Sequence, residues 1–195
     1  MQALVDSLRT KFPDAILATH VDAARAETSV SVAAARLLDI ARHLHEAPDA
    51  IFDHLTDICS VDYPEDQLRF EVVYHLHSLP FRQRLRLKVR LTEDDPTIAS
   101  VTGIWKGAEF LEREVYDMMG IHFSGHPDLR RILLPEDYAE GYPLRKDFPT
   151  EGRGWRSQFD FIPRLDEPSL DVTESEISDK QKDAFRAELG VPASQ

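Results

Sequence analysis

The sequence predicts an α+β fold: a two-layer domain with helices on one face of a largely antiparallel sheet, followed by an extended proline-rich C-terminal segment. Three observations favour it. Residues 84–91 alternate apolar and basic side chains, the two-residue period of a strand with one buried face. Other apolar runs of strand length stand between segments with a helical period of three to four residues. Beyond Gly120, proline recurs too often for long regular elements.

The first elements are a helix and two strands. Apolar residues at helical spacing predict a helix over residues 2–12, and Pro13 closes it. Residues 15–20 and 28–32 are then predicted to be two short strands joined by a polar stretch.

A second helix and three further strands complete the predicted sheet layer. Ser31 is a candidate N-cap for a helix whose apolar positions between residues 37 and 44 recur every three to four residues. Strands are predicted near residues 55–61, 69–76 and 84–91. Helices interrupt the strands without strict alternation, which favours an α+β domain over a parallel α/β one.

A third helix ends the predicted domain. Residues 104–119 carry an apolar stripe at about 100° per residue, and Gly120 is placed to end that helix. We therefore predict an α+β domain over residues 1–122. Residues 123–195 are predicted to form an extended partner-binding segment and an acidic tail.

Composition excludes several classes of function. The net charge of −12 argues against nucleic-acid binding through a basic face and against electrostatic adhesion to anionic lipid. No run approaches the roughly 18 to 20 apolar residues that span a bilayer. Cys59 is the single cysteine, in an apolar run typical of a buried inert thiol, so this chain alone is not expected to ligate an iron–sulfur cluster.

Charged residues on the third helix have two interpretations. A general acid and base would require Glu112 and Glu114 to converge on one pocket, but helical spacing puts them on opposite sides of the apolar stripe. We expect both to edge a buried face. Glu109 and Arg113 are expected to pair on the solvent side.

Two histidine pairs suggest metal sites. His122 and His126, with the carboxylates of the preceding helix, have ligand spacing only if they lie on a helix, which the neighbouring glycines and Pro127 oppose. His75 and His77 share one face of a strand but have no third ligand in view. A metal-dependent hydrolase that uses His122, His126 and a carboxylate is therefore kept as a distant alternative.

Arginines in the proline-rich segment are expected to bind protein rather than phosphate. No glycine-rich loop precedes a helix near Arg130, Arg131, Arg145 or Lys146 to supply backbone amides. Arginine forms bidentate pairs with carboxylates, and aromatic residues in the same segment suit an interface. The alternating basic strand at 84–91 is expected to be a salt-bridged surface or a protein contact, not a track for nucleic acid.

One segment carries a family resemblance. The run EREVYDMMGIHFSGHPDLRRILLPEDY, followed by PLRKDFP, resembles the signature of the C subunit of proton-pumping NADH–quinone oxidoreductase, respiratory complex I. The likeness is close over residues 104–149 and looser over the strands before them. Related subunits of membrane-bound hydrogenases and other complex-I-like dehydrogenases have a similar motif, so one of those is the alternative.

The resemblance implies a non-catalytic structural subunit of the peripheral arm. It implies no cofactor or metal bound by this chain, with FMN and iron–sulfur clusters in partner subunits that pass electrons from NADH to quinone. It implies contact with the large quinone-site subunit and with neighbouring iron–sulfur subunits, and membrane association only through the complex. The motif positions, assigned to docking and local architecture, are Glu112, Arg113, Glu114, Tyr116, Asp117, Gly120, His126, Pro127, Asp128, Arg130, Arg131, Arg145, Lys146 and Asp147.

The N-terminus lacks a basic start followed by an apolar core, the pattern of a secretory signal. We therefore expect the protein on the cytoplasmic side of a bacterial plasma membrane. A mature organellar protein is the alternative.

Overall fold

The computed structural model describes residues 2–22, 27–48 and 50–155, and the predicted acidic tail lies outside them. The described residues form three helices, one 3₁₀ turn and seven strands. In chain order these are α1 (Gln2–Lys11), β1 (Ile16–Asp22), β2 (Glu27–Val32), the 3₁₀ turn (Ala34–Arg36), α2 (Leu37–Glu46), β3 (His54–Asp62), β4 (Phe70–Ser78), β5 (Gln83–Leu91), β6 (Thr97–Ala99), α3 (Ala108–Met119) and β7 (His122–Ser124).

The main sheet has five strands in the order β1-β2-β5-β4-β3. Three of its four pairings are antiparallel, whereas β2 and β5 run parallel, with Val30 opposite Leu87. A parallel pair needs a crossover, and α2, β3 and β4 supply it. The prediction of a largely antiparallel sheet is confirmed.

The core lies between the sheet and the helices. On β4 and β5 every second side chain is buried on the helix side, as the alternation in the sequence predicts. Val5 and Leu8 of α1, and Ile40 and Leu44 of α2, pack into the same cluster. Each fully buried side chain of this size stabilises the fold by about 1.5–3 kcal/mol, so this layer sets the stability of the domain.

Two predicted helix starts are wrong. Ser31 lies within β2 and caps nothing, because the 3₁₀ turn intervenes before α2 begins at Leu37. Likewise α3 begins at Ala108, and Ile104 belongs to the preceding turn. The predicted end of α3 is correct: Gly120 adopts the left-handed conformation, with φ of 73°, that favours glycine at this position.

The chain beyond α3 packs on the domain. β7 pairs in parallel with β6, a small sheet that the sequence did not indicate. Residues 125–155 are turns, as their prolines predict, yet they belong to the same compact unit as the residues before them, residues 1–155. The predicted functional division between residues 122 and 123 stays a prediction. In the part of the chain that the structure describes, no helix is long and apolar enough to span a membrane.

Candidate docking site around α3

α3 buries three charged side chains in addition to its apolar stripe. Glu112 and Asp117 have no exposed surface, and Arg113 is 6% exposed. The prediction that Glu112 edges the buried face is therefore wrong, and so is the predicted pairing of Glu109 with Arg113. A periodicity argument finds only one buried face, whereas the chain that follows α3 covers a second.

Asp117 holds the loop after β7. Its Oδ2 accepts hydrogen bonds from the backbone N–H groups of Ile132, Leu133 and Leu134 at 3.1, 2.8 and 2.8 Å, and its Oδ1 accepts from Arg131 at 2.7 Å. Burial alone would raise the pKa of Asp117, but these donors outweigh it and the pKa is lowered. One carboxylate thus fixes four consecutive residues.

Arg113 holds the preceding residues of the same loop. Its guanidinium donates to the backbone oxygens of Arg130 at 3.2 Å and Arg131 at 2.9 Å. It also lies 5.9 Å from the centre of the Phe110 ring, one turn earlier on α3. A buried charge needs hydrogen-bond partners. Here the partners are backbone oxygens of a segment that has no strand pairing of its own.

Glu112 faces the opposite direction, into the core. Its Oε1 accepts from the N–H of Val101 at 2.7 Å, whereas Oε2 has no hydrogen-bond partner within the described residues. Burial raises the pKa of Glu112, although hydrogen bonds from Ser100 and Val101 oppose it. Burial, and then the charge of Glu112, raise the pKa of Tyr74 as well. The burial of this carboxyl group and its unpartnered Oε2 both disfavour a charge on Glu112.

The histidines have structural partners. Nε2 of His126 lies 2.9 Å from the backbone oxygen of Glu109, and Nδ1 accepts from the N–H of Asp128 at 3.0 Å. Both ring nitrogens of His126 therefore have partners, which join α3 to the loop. His122 is exposed on β7. The residues that the structure describes include no group of three or more potential metal ligands.

The outer face of the main sheet carries the other candidates. His75 Nε2 lies 3.7 Å from Sγ of Cys59, which is half-buried, and burial raises the pKa of this thiol. A raised pKa disfavours the reactive thiolate. In the described part of the chain, three of the four basic residues of β5 are ion-paired: Arg86 with Glu27, Lys88 with Glu71 and Arg90 with Asp66. This strand is therefore largely a salt-bridged surface.

The PLRKDFP segment is held at the end of the sheet. Arg145 donates to the backbone oxygen of Met119 at 2.8 Å, and its guanidinium lies between the rings of Phe70 and Tyr142, at 4.8 and 4.5 Å from their centres. A Cβ on Gly120 would lie 2.4 Å from the Tyr142 ring. Glycine at this position therefore has two roles: it ends α3, and it leaves room for the Tyr142 ring of this segment.

A buried arginine ties the next residues to the sheet. Arg69 forms a two-pronged contact with Asp62 at 2.8 and 2.9 Å, and it donates to Asp147 at 2.9 Å. Asp62 also accepts from the N–H of Lys146 at 2.7 Å. Chiefly because of the hydrogen bonds from Arg69, the pKa of Asp62 is lowered.

Sequence reasoning missed Asp62 and Arg69. Each stands at the end of a predicted strand, where a charged residue is usually taken for a solvated one. Their place before and after the turn between β3 and β4 is the signal that could have paired them.

The structure divides the fourteen motif residues into two groups. One group turns inward to hold the chain, as described above. The other presents side chains to solvent or keeps them half-exposed; it comprises Glu114, Tyr116, Pro127, Asp128, Arg130, Lys146 and Asp147. Large apolar side chains are also exposed on α3 and on the two segments whose backbone bonds to it: Phe110 is 59% exposed, and Leu133 and Leu144 are each 60% exposed. We call Phe110, Leu133 and Leu144 the α3 surface.

Comparison with known proteins identifies relatives over most of the chain. The family model described as respiratory-chain NADH dehydrogenase, 30 Kd subunit, matches residues 30–154. The C subunit of the NADH-quinone oxidoreductase of Roseiflexus sp. (strain RS-1) is 49% identical over 146 residues, which are 75% of this chain and 82% of that one. The C subunit of the Geobacter sulfurreducens enzyme is 45% identical over 149 residues, 76% of this chain and 89% of that one.

Two solved structures share the fold. A trypsin-resistant fragment (1-134) of Nqo5 is 33% identical, with a TM-score of 0.56, and the match covers 66% of this chain and 98% of that one. The other is a membrane-bound sulfane sulfur reductase, an archaeal respiratory membrane complex. Its matching chain is 26% identical, with a TM-score of 0.66, over 86% of this chain and 96% of that one.

Proposed function

The chain belongs to the family of the 30 kDa subunit of respiratory-chain NADH dehydrogenase, and on this premise we propose that it is a non-catalytic structural subunit of the peripheral arm. The assembled complex would pass electrons from NADH through FMN and iron–sulfur centres to quinone and couple the transfer to proton translocation. FMN and the clusters would reside in partner subunits, with none bound by this chain.

One observation carries the non-catalytic part of this proposal. Within the motif, Arg113, Asp117 and His126 hold backbone groups of their own chain instead of converging on a pocket. Asp117 and Arg113 engage the loop at residues 130–134, and His126 engages the backbone of α3. A general acid or base needs a free position next to the reacting atoms, which these contacts do not leave.

The α3 surface is the proposed docking site for a partner subunit. Asp117 and Arg113 fix the loop that carries Leu133, and the Arg145 contacts fix the segment that carries Leu144. Apolar side chains with a charged rim are typical of protein interfaces. Side chains on segments that are already held in place lose less conformational entropy when a partner binds. Arg131 and Arg145, which pair inside the chain, would contribute by holding this surface in place.

We assign the partners to the large quinone-site subunit and the neighbouring iron–sulfur subunits. The protein would then be peripheral, on the cytoplasmic side of the bacterial plasma membrane, and attached through the complex. The likeness to a chain of a sulfane sulfur reductase supports a shared scaffold among related respiratory complexes. Identities of 43–53% to the C subunits of NADH-quinone oxidoreductases favour the NADH–quinone type for this chain.

The docking site is tested by placing a charged residue in the α3 surface and measuring how much of the complex still assembles. In Leu133→Asp, a carboxylate would be buried at the interface, and we expect at least about tenfold less complex recovered from native membranes in mild detergent. Leu17→Asp is the control, because Leu17 is 62% exposed on edge strand β1. Mass spectrometry of the co-purified subunits also identifies the electron-input module. Normal assembly of Leu133→Asp would refute this docking site.

A further inference from the structure

A cleft beside α2 and the start of α3 has the composition of an interface. A cleft of about 560 Å³ lies between α2 and residues 100–106. Leu38 and Ile104 give it an apolar lining and are half-buried, whereas Arg42, Glu46 and Lys106 are exposed at its edge. An apolar centre with a charged rim is the usual anatomy of a protein-binding surface.

The charges at this cleft are unpaired. Arg42 and Glu46 are four residues apart on α2, and Lys106 and Glu109 are three apart across the start of α3. Neither spacing produces an ion pair, and none of these four residues forms one with any residue that the structure describes. By contrast, Arg86, Lys88 and Arg90 of β5 are each ion-paired. Each wall of the cleft thus offers one free cation and one free anion.

Gly103 points to the same conclusion. It lines the cleft, its φ is not in the left-handed region, and a Cβ built on it would meet nothing within 4 Å. The fold of this chain therefore does not require glycine there. A wall without a side chain lets the backbone of another molecule approach closely.

We propose that this cleft seats an amphipathic segment of a neighbouring subunit. The segment packs an apolar side chain on Leu38 and Ile104, passes Gly103 at backbone distance, and pairs one acidic and one basic side chain with the free charges. Charge complementarity selects this occupant, because each wall of the cleft carries one cation and one anion beside an apolar side chain. The inference rests on the proposed function, since it requires the chain to be part of a complex.

A zero-length carbodiimide cross-link tests the contact. This reagent joins a lysine amine to a carboxylate only when the two touch. In the purified complex we expect Lys106 to be joined to an Asp or Glu of another subunit, identified as a cross-linked peptide by mass spectrometry. Lys106→Arg is the matched control: it keeps the charge and the assembly but has no amine, so this cross-link disappears.

A steric block tests the geometry. Gly103→Leu fills the cleft without straining its own backbone, and we expect the Lys106 cross-link to fall at least about tenfold. Gly107→Leu is the control, because Gly107 lies on the same turn, has open space and does not line the cleft. Its cross-link should equal that of the wild type.

Two outcomes overturn the proposal. One is an intact complex in which Lys106 forms no cross-link or is joined only to a second copy of this chain. The other is an undiminished cross-link in Gly103→Leu. Both leave the proposed function standing, whereas failure of the wild-type chain to recover any partner subunit would refute that function itself.

Discussion

The five-stranded domain and residues 125–155 are held by different forces. In the domain, hydrogen bonds between paired strands satisfy the backbone N–H and C=O groups. Apolar side chains such as Ile40 and Leu87 are packed with almost no exposed surface. Residues 125–155 have no strand pairing and only isolated turn hydrogen bonds. Backbone groups of residues 130–134 and of Lys146 bond instead to the charged side chains of Arg113, Asp117 and Asp62.

The difference determines how each region responds to pH and to single substitutions. An apolar core tolerates changes of pH and charge, because its contribution is proportional to area removed from water. A segment held by carboxylates and guanidinium groups depends on a few groups and on their protonation state. The part proposed to meet partner subunits is thus the part that single substitutions can release.

The largest effect is expected from the core. Leu87→Ala, in the centre of the sheet, should lower the free energy of unfolding by roughly 2–5 kcal/mol and unfold both regions together. Urea denaturation followed by circular dichroism measures it. Leu17→Ala, on the exposed side of edge strand β1, should change stability by at most about 0.5 kcal/mol. A comparable loss in both variants would contradict the assignment of stability to the core.

A smaller and local effect is expected from Asp117→Asn. Each hydrogen bond to a charged group is worth roughly 1.5–3 kcal/mol. The asparagine side chain keeps one acceptor oxygen, but its NH₂ group replaces the other and faces the backbone N–H donors of the loop. We expect trypsin to cleave faster at Arg130 and Arg131 while the circular dichroism of the sheet is unchanged. Glu114→Gln, exposed on the same helix, is the control. Unchanged cleavage would show that Asp117 does not hold the loop.

The smallest effect concerns pH, and it has opposite signs for two carboxylates. The pKa of Glu112 is raised, so its contribution to stability is present at low pH and is lost as pH rises above about 4.3 through its folded-state pKa. The pKa of Asp117 is lowered, so its contribution is lost as pH falls below about 4.

Unfolding free energies of the wild type and Glu112→Gln across this pH range test the sign. The wild type should lose stability relative to Glu112→Gln as pH rises from 4 to 7, because burial in the folded state disfavours the charged carboxylate. Parallel pH profiles for the two proteins would show that Glu112 is not desolvated in the folded state.

The sheet was predictable because its signal is local. The alternation on β5 and the apolar runs of β3 and β4 specify strand positions within about two residues. Successive side chains of a strand point to opposite faces, so a sequence that alternates every second residue marks the strand directly. Gly120 was predictable for a similar reason, as the left-handed conformation that ends a helix favours glycine.

Long-range contacts were not predictable from one sequence. Glu112, Arg113 and Asp117 have the helical spacing of solvated charges. The path of residues 125–134 brings partners to Arg113 and Asp117, and the turn before α3 brings Val101 to Glu112. The pairing of β6 with β7 joins two three-residue strands, which are too short to show a period. The inward contacts of Arg131 and Arg145 were likewise hidden, because an arginine has the same local pattern whether it meets its own backbone or another subunit.

The parallel pairing of β2 with β5 also constrains the order of folding. The β1–β2 hairpin leaves the ribosome early, but the inner edge of β2 has no partner until β5 has been synthesised, after α2, β3 and β4. Contacts so distant in sequence form late, whereas β3, β4 and β5 are neighbours along the chain and can pair first. Pulse-labelled hydrogen exchange during refolding should therefore protect β4 before β2. Until β5 arrives, an unpaired strand edge is open to other nascent chains.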